Sequence, residues 1–329
     1  MRISKIPAPL LSGLLVFACM NLLLNYVFIP YQFPRIKIHK VESESFQDLI
    51  LGTSHGNSAM DPEVISGKTG RSCFNAAAGG QSPEDSLFLL MDACRNHKPE
   101  RVIIEYDPTY WLFLDNFNAN ARYQLGVMEF SPVKLAYFAG IFAMRDIRYV
   151  CMPWSQYSLK IDRAGEILRE KHSEAYRSFS TEPFCDSSQV LQENGFMAIS
   201  DTAEGEKSVR ELSFSRETEK HVKQNKAAFE RILSYCRRKG IEAVVVTTPV
   251  PDETREANTA FYEEAHGIMR GLSEKYQARY LDFVMPEEGD ETAGLNKDWG
   301  SEGFSDGEGH MRTGCAGRFS AMLGELLGS

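Results

Sequence analysis

Five short apolar segments, separated by longer amphipathic ones, constrain the fold of this 329-residue chain more than any other feature. Several are rich in Val and Ile, and runs of this length and composition predict buried β-strands. Strands that alternate with helices predict a mostly parallel sheet with helices on both faces, which is the α/β class. The predicted strands are Phe46–Leu51, Ser72–Asn75, Arg101–Asp107, Ile241–Thr248 and Tyr280–Phe283.

Helical patterns fill most of the intervals between these strands. Between Thr109 and Ser215 the alternation stops, and aromatic residues and polar loops take its place. We predict a largely helical, aromatic-rich insertion at about 109–215 that covers or shapes a site, although packing also explains its aromatic residues. The predicted helices are Pro62–Gly67, Glu84–Cys94, Glu217–Lys239, Ala257–Tyr276 and Thr313–Leu327.

The N-terminal segment from Pro9 to Pro30 contains no charged side chain. Its length is close to the roughly 20 residues that a helix needs to cross a bilayer. Basic residues flank it on both sides, so their count does not fix its orientation. A cleaved signal peptide is the alternative, but its apolar core would be shorter. We predict an uncleaved anchor at 1–30, inserted in the bilayer through residues 9–30. A polar, basic tether would follow at 31–45, and the main domain, 46–329, would lie outside the cytoplasm.

Net charge and residue spacing exclude several functional classes. The net charge is −9, so the chain offers no basic surface for nucleic acid. Rossmann and P-loop patterns are absent, which disfavours nucleotide binding. The seven cysteines show no CxxC spacing, and we expect no cofactor and no metal. Five histidines stand in polar segments that we expect to be exposed: His39, His97, His172, His221 and His266.

The first strand leads into Gly52-Thr53-Ser54-His55-Gly56, whose small and polar residues predict a tight turn before a helix. Ligands bind at the carboxyl ends of strands in open α/β sheets. A serine hydroxyl would be exposed there, and the serine N–H could donate to a developing oxyanion. Ser54 is therefore a candidate nucleophile, or alternatively a helix cap. His55 either contacts an acyl group or helps to cap the same helix.

A glycine-rich loop before the last helix contains Asp306, Glu308 and His310. A serine nucleophile needs a histidine that takes its proton and a carboxylate that orients the histidine. Taken alone, an acid and a histidine in one loop are weak evidence for such a site.

The three blocks together resemble the SGNH (GDSL-like) hydrolase superfamily, in the family's order. They are the Gly-Thr-Ser turn, residues 75–80 after the second strand, and the acid–histidine loop. The resemblance covers about Phe46–Leu327. It implies a three-layer α/β/α sandwich and acyl-ester chemistry, with Ser54 as nucleophile and His310 as base. The anchored layout is similar to bacterial SGNH proteins that act on cell-envelope polymers. These include the teichoic-acid D-alanylation protein and relatives that work beside membrane-bound O-acyltransferases.

The acid and the oxyanion donors depart from the family pattern. The family's acid stands three residues before the histidine, where this chain has Gly307; we expect Asp306 to take the role, with Glu308 as the alternative. The second block is offset: the resemblance implies Asn75 as an oxyanion or substrate-binding residue, and Gly79 or Gly80 as the N–H donor.

Asp107 follows the third strand where the family has an asparagine donor. An ionised carboxylate would repel an oxyanion. Asp107 would then hold a loop, bind a substrate hydroxyl, or contact an acyl group that carries an amine.

We therefore expect an extracytoplasmic serine esterase or acyltransferase that acts on acyl esters of a cell-surface polysaccharide or polymer. Whether water or a hydroxyl group receives the acyl chain stays open. The alternative is a weak or inactive accessory protein of the same fold that supports a membrane-bound O-acyltransferase.

Overall fold

The computed structural model describes residues 7–113, 119–144, 151–295 and 299–328. Parts of the predicted anchor, insertion and main domain therefore lie outside the described residues. These parts are 1–6 of the anchor, 114–118 and 145–150 of the insertion, and 296–298 and 329 of the domain.

A parallel sheet of five strands forms the centre of an α/β fold, and each predicted strand is present with slightly different ends. The order is β2-β1-β3-β6-β7, and every neighbouring pair is parallel. β4 and β5 form a separate antiparallel pair. The bounds are β1 Asp48–Leu51, β2 Cys73–Asn75, β3 Arg101–Glu105, β4 Gln189–Leu191, β5 Met197–Ile199, β6 Glu242–Thr247 and β7 Arg279–Asp282.

The five predicted helices are present as α4, α5, α10, α12 and α13. The helices are α1 Ala8–Phe28, α2 Pro34–Ser43, α3 Ser54–Ala59, α4 Pro62–Thr69, α5 Pro83–Asn96, α6 Ala119–Val127, α7 Pro132–Met144, α8 Ala164–His172, α9 Glu174–Ser178, α10 Glu219–Lys239, α11 Asp252–Ala257, α12 Thr259–Tyr276 and α13 Thr313–Gly328. Short 3-10 helices include Pro108–Trp111, directly after β3.

Successive side chains of the central strands belong to two different hydrophobic clusters. Side chains alternate between the two faces of a strand, so both faces of the sheet are covered. Leu49 and Val102 pack in the cluster that contains Phe229 of α10. Ile50 packs in the cluster that contains Phe319 of α13. Burial on both faces explains why these strands are continuous apolar runs.

The helix α1 is long and apolar enough to cross a membrane, and residues 8–20 are all exposed. Its last two turns contact the predicted insertion instead. Asn21 Oδ1 accepts a hydrogen bond of 2.7 Å from Trp154 Nε1, and Asn25 Oδ1 accepts one of 3.1 Å from the Trp154 N–H. The insertion segment at Trp154 therefore covers Asn21 and Asn25, two polar side chains of α1.

The segment 31–45 differs from the predicted tether, because it contains the helix α2 packed against α5. Ile36, Lys37 and Ile38 are at most 3% exposed. Polar and basic composition suggested a solvated linker, but these side chains lie in the interior of the fold. The chain after α1 is therefore part of the main domain.

Candidate active site

The turn after β1 presents Ser54 at the first position of α3, and Thr53 caps the helix. Thr53 has extended backbone angles, and its Oγ1 accepts a hydrogen bond of 3.2 Å from the His55 N–H. The alternative that Ser54 is the capping serine is therefore wrong. Gly52 has φ +145°, and a Cβ there would lie 2.5 Å from Glu105 Oε2. Only glycine fits this turn without strain.

A hydrogen-bonded relay joins Ser54, His310 and Asp306. His310 Nε2 lies 2.8 Å from Ser54 Oγ, and His310 Nδ1 lies 2.7 Å from Asp306 Oδ2. This is the geometry in which a histidine can take a serine proton while a carboxylate fixes the ring. The fold brings together the nucleophile, base and acid that were expected from the sequence, although 256 positions separate Ser54 from His310.

Asp306, and not Glu308, is the partner of the histidine. Asp306 Oδ1 accepts from the backbone N–H groups of Glu308, Gly309 and His310 at 3.0–3.2 Å, which leaves Oδ2 for the imidazole. A Cβ at Gly309, where φ is +115°, would lie 3.1 Å from Val250, so a glycine lets the loop turn here. The loop turns around the Asp306 carboxylate, and this turn accommodates the three residues between Asp306 and His310.

The two ionisable partners shift each other's pKa in opposite directions. Burial favours a neutral Asp306, but the hydrogen bond and charge of His310 hold the pKa of the carboxyl well below its usual range. Burial also disfavours a charged His310, but the hydrogen bond and charge of Asp306 raise the pKa of the imidazole above its ordinary value. An anionic Asp306 would therefore stabilise an imidazolium at His310 if the histidine took the proton of Ser54.

His55 and Asp107 lie beside the relay. The His55 ring meets the His310 ring edge-on at 4.7 Å between centroids, and His55 Nδ1 is 3.7 Å from Asp107 Oδ2. Burial lowers the pKa of His55, which favours its neutral form. Asp107 Oδ1 accepts a 2.8 Å hydrogen bond from the Thr109 N–H and so caps a short helix. Asp107 holds this loop, as one of its expected roles required.

Two backbone N–H groups near Ser54 are candidates for an oxyanion site. A Cβ added to Gly79 would lie 3.8 Å from Ser54 Cβ, so Gly79 adjoins the nucleophile. Within the described part of the chain, the N–H groups of Ser54 and Gly79 donate no hydrogen bond. A Cβ on Gly80 would instead lie 2.4 Å from Asn120 Nδ2, at a φ of +68°. Of the two glycines, Gly79 is the one whose position next to Ser54 is shown, and it is the candidate for the second donor.

The amide of Asn75 has a structural role rather than the expected one at the oxyanion. Asn75 Nδ2 donates to the carbonyl oxygens of Gly56 and Met60, both at 2.8 Å. Its Oδ1 accepts from the Ala77 N–H at 3.0 Å. The side chain is fully buried, and both amide N–H groups are used in this way, so Asn75 shapes the loop and has no amide N–H left to donate to an oxyanion.

Glu105 and Lys37, two buried charged residues, were not identified as site residues from the sequence. Glu105 Oε2 accepts from the N–H of Thr53 at 2.6 Å. Burial, with the nearby charge of Asp107, raises the pKa of Glu105 to about 8. Lys37 donates to Asn57, one turn after Ser54. Glu105 lies at the end of a buried strand and Lys37 in a basic segment, and neither pattern predicts a role at the site.

The histidine His266 was wrongly expected to be exposed. It is buried, and its Nδ1 lies 2.6 Å from Asp282 Oδ2. The hydrogen bond and charge of Asp282 outweigh burial and raise the pKa of His266. This pair joins α12 to the end of β7 and is separate from the relay.

A cavity of about 110 Å³ opens beside Ser54. Its wall includes His55 and Asp107 on one side and Arg210, Leu212 and Tyr262 on the other. Arg210 stacks on the ring of Phe113 at 3.8 Å. The cavity therefore combines apolar walls with charged groups near the nucleophile.

Across the described residues, no group of three or more His, Cys, Asp or Glu side chains is arranged to hold a metal ion. No protein-family model matches the chain, and a comparison with curated proteins found no match. The arguments on function therefore depend on the geometry of the site itself.

Proposed function

We propose that this protein is a membrane-anchored, extracytoplasmic serine esterase or acyltransferase that acts on acyl esters of a cell-surface polysaccharide or polymer. The proposal includes an SGNH-type three-layer α/β/α architecture. The observation that carries it is the relay, with 2.8 Å from Ser54 Oγ to His310 Nε2 and 2.7 Å from His310 Nδ1 to Asp306. Such a relay activates a serine for attack on an acyl carbonyl.

In the proposed reaction, Ser54 Oγ attacks the ester carbonyl carbon while its proton moves to His310 Nε2. Asp306 stabilises the imidazolium, and the N–H groups of Ser54 and Gly79 donate to the oxyanion. The C–O bond to the leaving alcohol then breaks, and His310 returns the proton to that alcohol. His310 next takes a proton from water or a sugar hydroxyl, whose oxygen attacks the acyl carbonyl carbon. The bond between that carbon and Ser54 Oγ then breaks, and His310 returns the proton to Ser54 Oγ.

The membrane location in this proposal is supported by α1, which is long and apolar enough to cross a bilayer. An uncleaved anchor on the outer face would hold the relay near the surface, where an envelope polymer is accessible. The short connection from α1 to the packed helix α2 would keep the site close to the bilayer.

A second candidate function is an accessory protein of the same fold that supports a membrane-bound O-acyltransferase. The observation that favours it is Asp107, a carboxylate in the site wall where a third oxyanion donor is expected. Loss of one donor lowers turnover by about 10²- to 10³-fold in a serine enzyme.

The first test is labelling of the full chain in detergent with a fluorophosphonate probe, followed by peptide mapping and by turnover of short-chain aryl esters. We expect modification at Ser54 and ester turnover, both lost in Ser54→Ala and His310→Ala. Ser58→Ala is the matched control, because Ser58 lies on the same helix and, among the described residues, its Oγ makes one hydrogen bond, to the Ser54 carbonyl at 3.0 Å. A folded wild-type chain that is neither labelled nor active would contradict the enzyme proposal. Co-purification of that inert chain with a multi-span membrane protein would favour the accessory role.

A further inference from the structure

A lysine amine in the interior of the fold, Lys37 of α2, makes contacts that the proposed reaction does not use. Its side chain is 1% exposed. Nζ donates to Asn57 Oδ1 and to the Ala77 carbonyl oxygen, each at 2.6 Å. Among the described residues, no carboxylate lies within ion-pair distance of this amine.

A buried amine without a counter-ion is unfavourable unless hydrogen bonds compensate it. Burial lowers the pKa of Lys37 well below its usual value, which favours the neutral amine. A neutral amine has two N–H donors, and the structure supplies two acceptors. An apolar side chain of similar size would fill the same space at a lower free-energy cost of burial. The role of the amine therefore lies in the two hydrogen bonds that it donates.

Both acceptors belong to segments that build the active site. Asn57 lies three residues after Ser54 in α3, and Ala77 lies two residues before Gly79. The amine thus joins the nucleophile helix to the oxyanion loop. It reaches them from the helix that follows the membrane-spanning candidate α1.

The peptide between Ala77 and Ala78 shows what this contact controls. The Ala78 N–H donates to the Gly52 carbonyl oxygen at 3.1 Å, and the Ala77 carbonyl accepts from Lys37. The carbonyl and the N–H of this one peptide are therefore both held, and the peptide plane cannot rotate without breaking one of them. The next N–H along the chain belongs to Gly79, the second oxyanion donor in the proposed reaction.

We propose that Lys37 is a positioning residue for the oxyanion site, which makes the juxtamembrane helix α2 part of the catalytic architecture. This inference rests on the proposed function. When the amine is removed, the Ala77–Ala78 peptide keeps only its bond to Gly52. The Ala78 carbonyl, which shares its peptide with the Gly79 N–H, still accepts from the Gln81 N–H at 3.0 Å, so the Gly79 N–H is then fixed from one side only. The transition state is then affected more than the bound substrate, because the oxyanion exists only in the former.

The test compares Lys37→Met with Lys40→Met in the full chain in detergent. Lys40 lies on the same helix, and its Nζ pairs with Glu193 Oε2 at 2.7 Å on the surface. We expect kcat for an aryl ester to fall about 10- to 100-fold in Lys37→Met. This fall does not exceed the one expected when a whole oxyanion donor is removed. KM is expected to stay close to wild type, and the thermal unfolding temperature is expected to fall modestly because two buried acceptors lose their donor. Lys40→Met is expected to behave as wild type.

Amide hydrogen exchange supplies a readout that does not need activity. We expect faster exchange at residues 77–80 in Lys37→Met, with unchanged exchange in α13. Lys37→Gln, which keeps a polar but shorter side chain, has the same expected results and replaces Lys37→Met if that variant does not fold. Unchanged kcat and unchanged loop exchange would overturn the role of Lys37, as would a change confined to KM. A wild-type chain without ester turnover would instead contradict the proposed function, and the exchange experiment would then still show whether Lys37 holds the loop 77–80.

Discussion

Glu105 Oε2 accepts hydrogen bonds from both the backbone N–H and the hydroxyl of Thr53, at 2.6 and 2.9 Å. Thr53 is the residue that caps α3 and precedes Ser54, the proposed nucleophile. The carboxyl at the end of β3 thus supports the turn that presents Ser54. The backbone of Gly56 also lies close to Glu105, because a Cβ at Gly56 would lie 2.7 Å from Glu105 Cβ. The Glu105 side chain therefore has little room to move.

We predict that Glu105→Gln retains ester turnover, whereas Glu105→Ala loses most of it. Glutamine keeps a carbonyl oxygen for the N–H of Thr53, and alanine leaves that buried donor unpaired at a cost of about 1–3 kcal/mol. Turnover and the free energy of unfolding of both variants, measured at one pH, check this. Equal losses in the two variants would contradict a role for the acceptor oxygen.

The pH dependence of stability gives a second check on Glu105. Its pKa is raised to about 8 in the folded protein, so the native state holds a proton that the unfolded state has lost. The stabilisation is complete below the unfolded-state pKa, near 4.5, and declines as pH rises towards 8. We expect this decline to be weaker in Glu105→Gln, measured by denaturant unfolding across that range. An identical decline in the variant would exclude Glu105 as its source.

The pH profile of turnover is predicted to report His310. The base must be neutral, and its pKa is raised by Asp306, so the acid limb of kcat/KM should lie above the ordinary histidine value of 6.5. Asp306→Asn should move that limb to lower pH, because the charge and the acceptor that raise the pKa are gone. It should also lower kcat by about 10³- to 10⁴-fold.

Glu308→Gln is the matched control for Asp306→Asn. Glu308 also raises the pKa of His310, but only through its charge, whereas Asp306 Oδ2 lies 2.7 Å from Nδ1. We expect a small shift of the acid limb to lower pH and nearly unchanged kcat. A larger loss of kcat in Glu308→Gln than in Asp306→Asn would identify Glu308 as the working acid.

The sequence was informative where a local pattern coincides with a functional requirement. A strand that ends in Gly52-Thr53-Ser54 needs a tight turn whatever surrounds it, and this turn exposes Ser54. The choice between Asp306 and Glu308 needed the structure. It depends on which carboxylate accepts hydrogen bonds from the N–H groups of its own loop. Asp306 stands four residues before His310 and Glu308 two, and both spacings are compatible with a turn.

Lys37 could not have been identified in this way, because its acceptors lie 20 and 40 positions away. A basic residue in a polar segment ordinarily indicates solvent exposure. Lys37 is buried instead because α2 packs against α5, and no periodic pattern in residues 31–45 predicts this packing. Long-range burial of this kind is determined by tertiary packing, which residue patterns along one segment do not contain.

The contact between Trp154 and α1 leads to a prediction about the bilayer. The bare part of α1, residues 8–20, is about 20 Å long, whereas the hydrocarbon core is about 30 Å thick. If α1 spans the membrane as proposed, the segment around Trp154 must enter the lipid. We expect lipids with brominated acyl chains to quench Trp154 fluorescence in the reconstituted full chain. Trp154→Phe should abolish the quenching, and Trp111→Phe should preserve it, because Trp111 is fully buried. Efficient reconstitution without any quenching would contradict immersion of this segment.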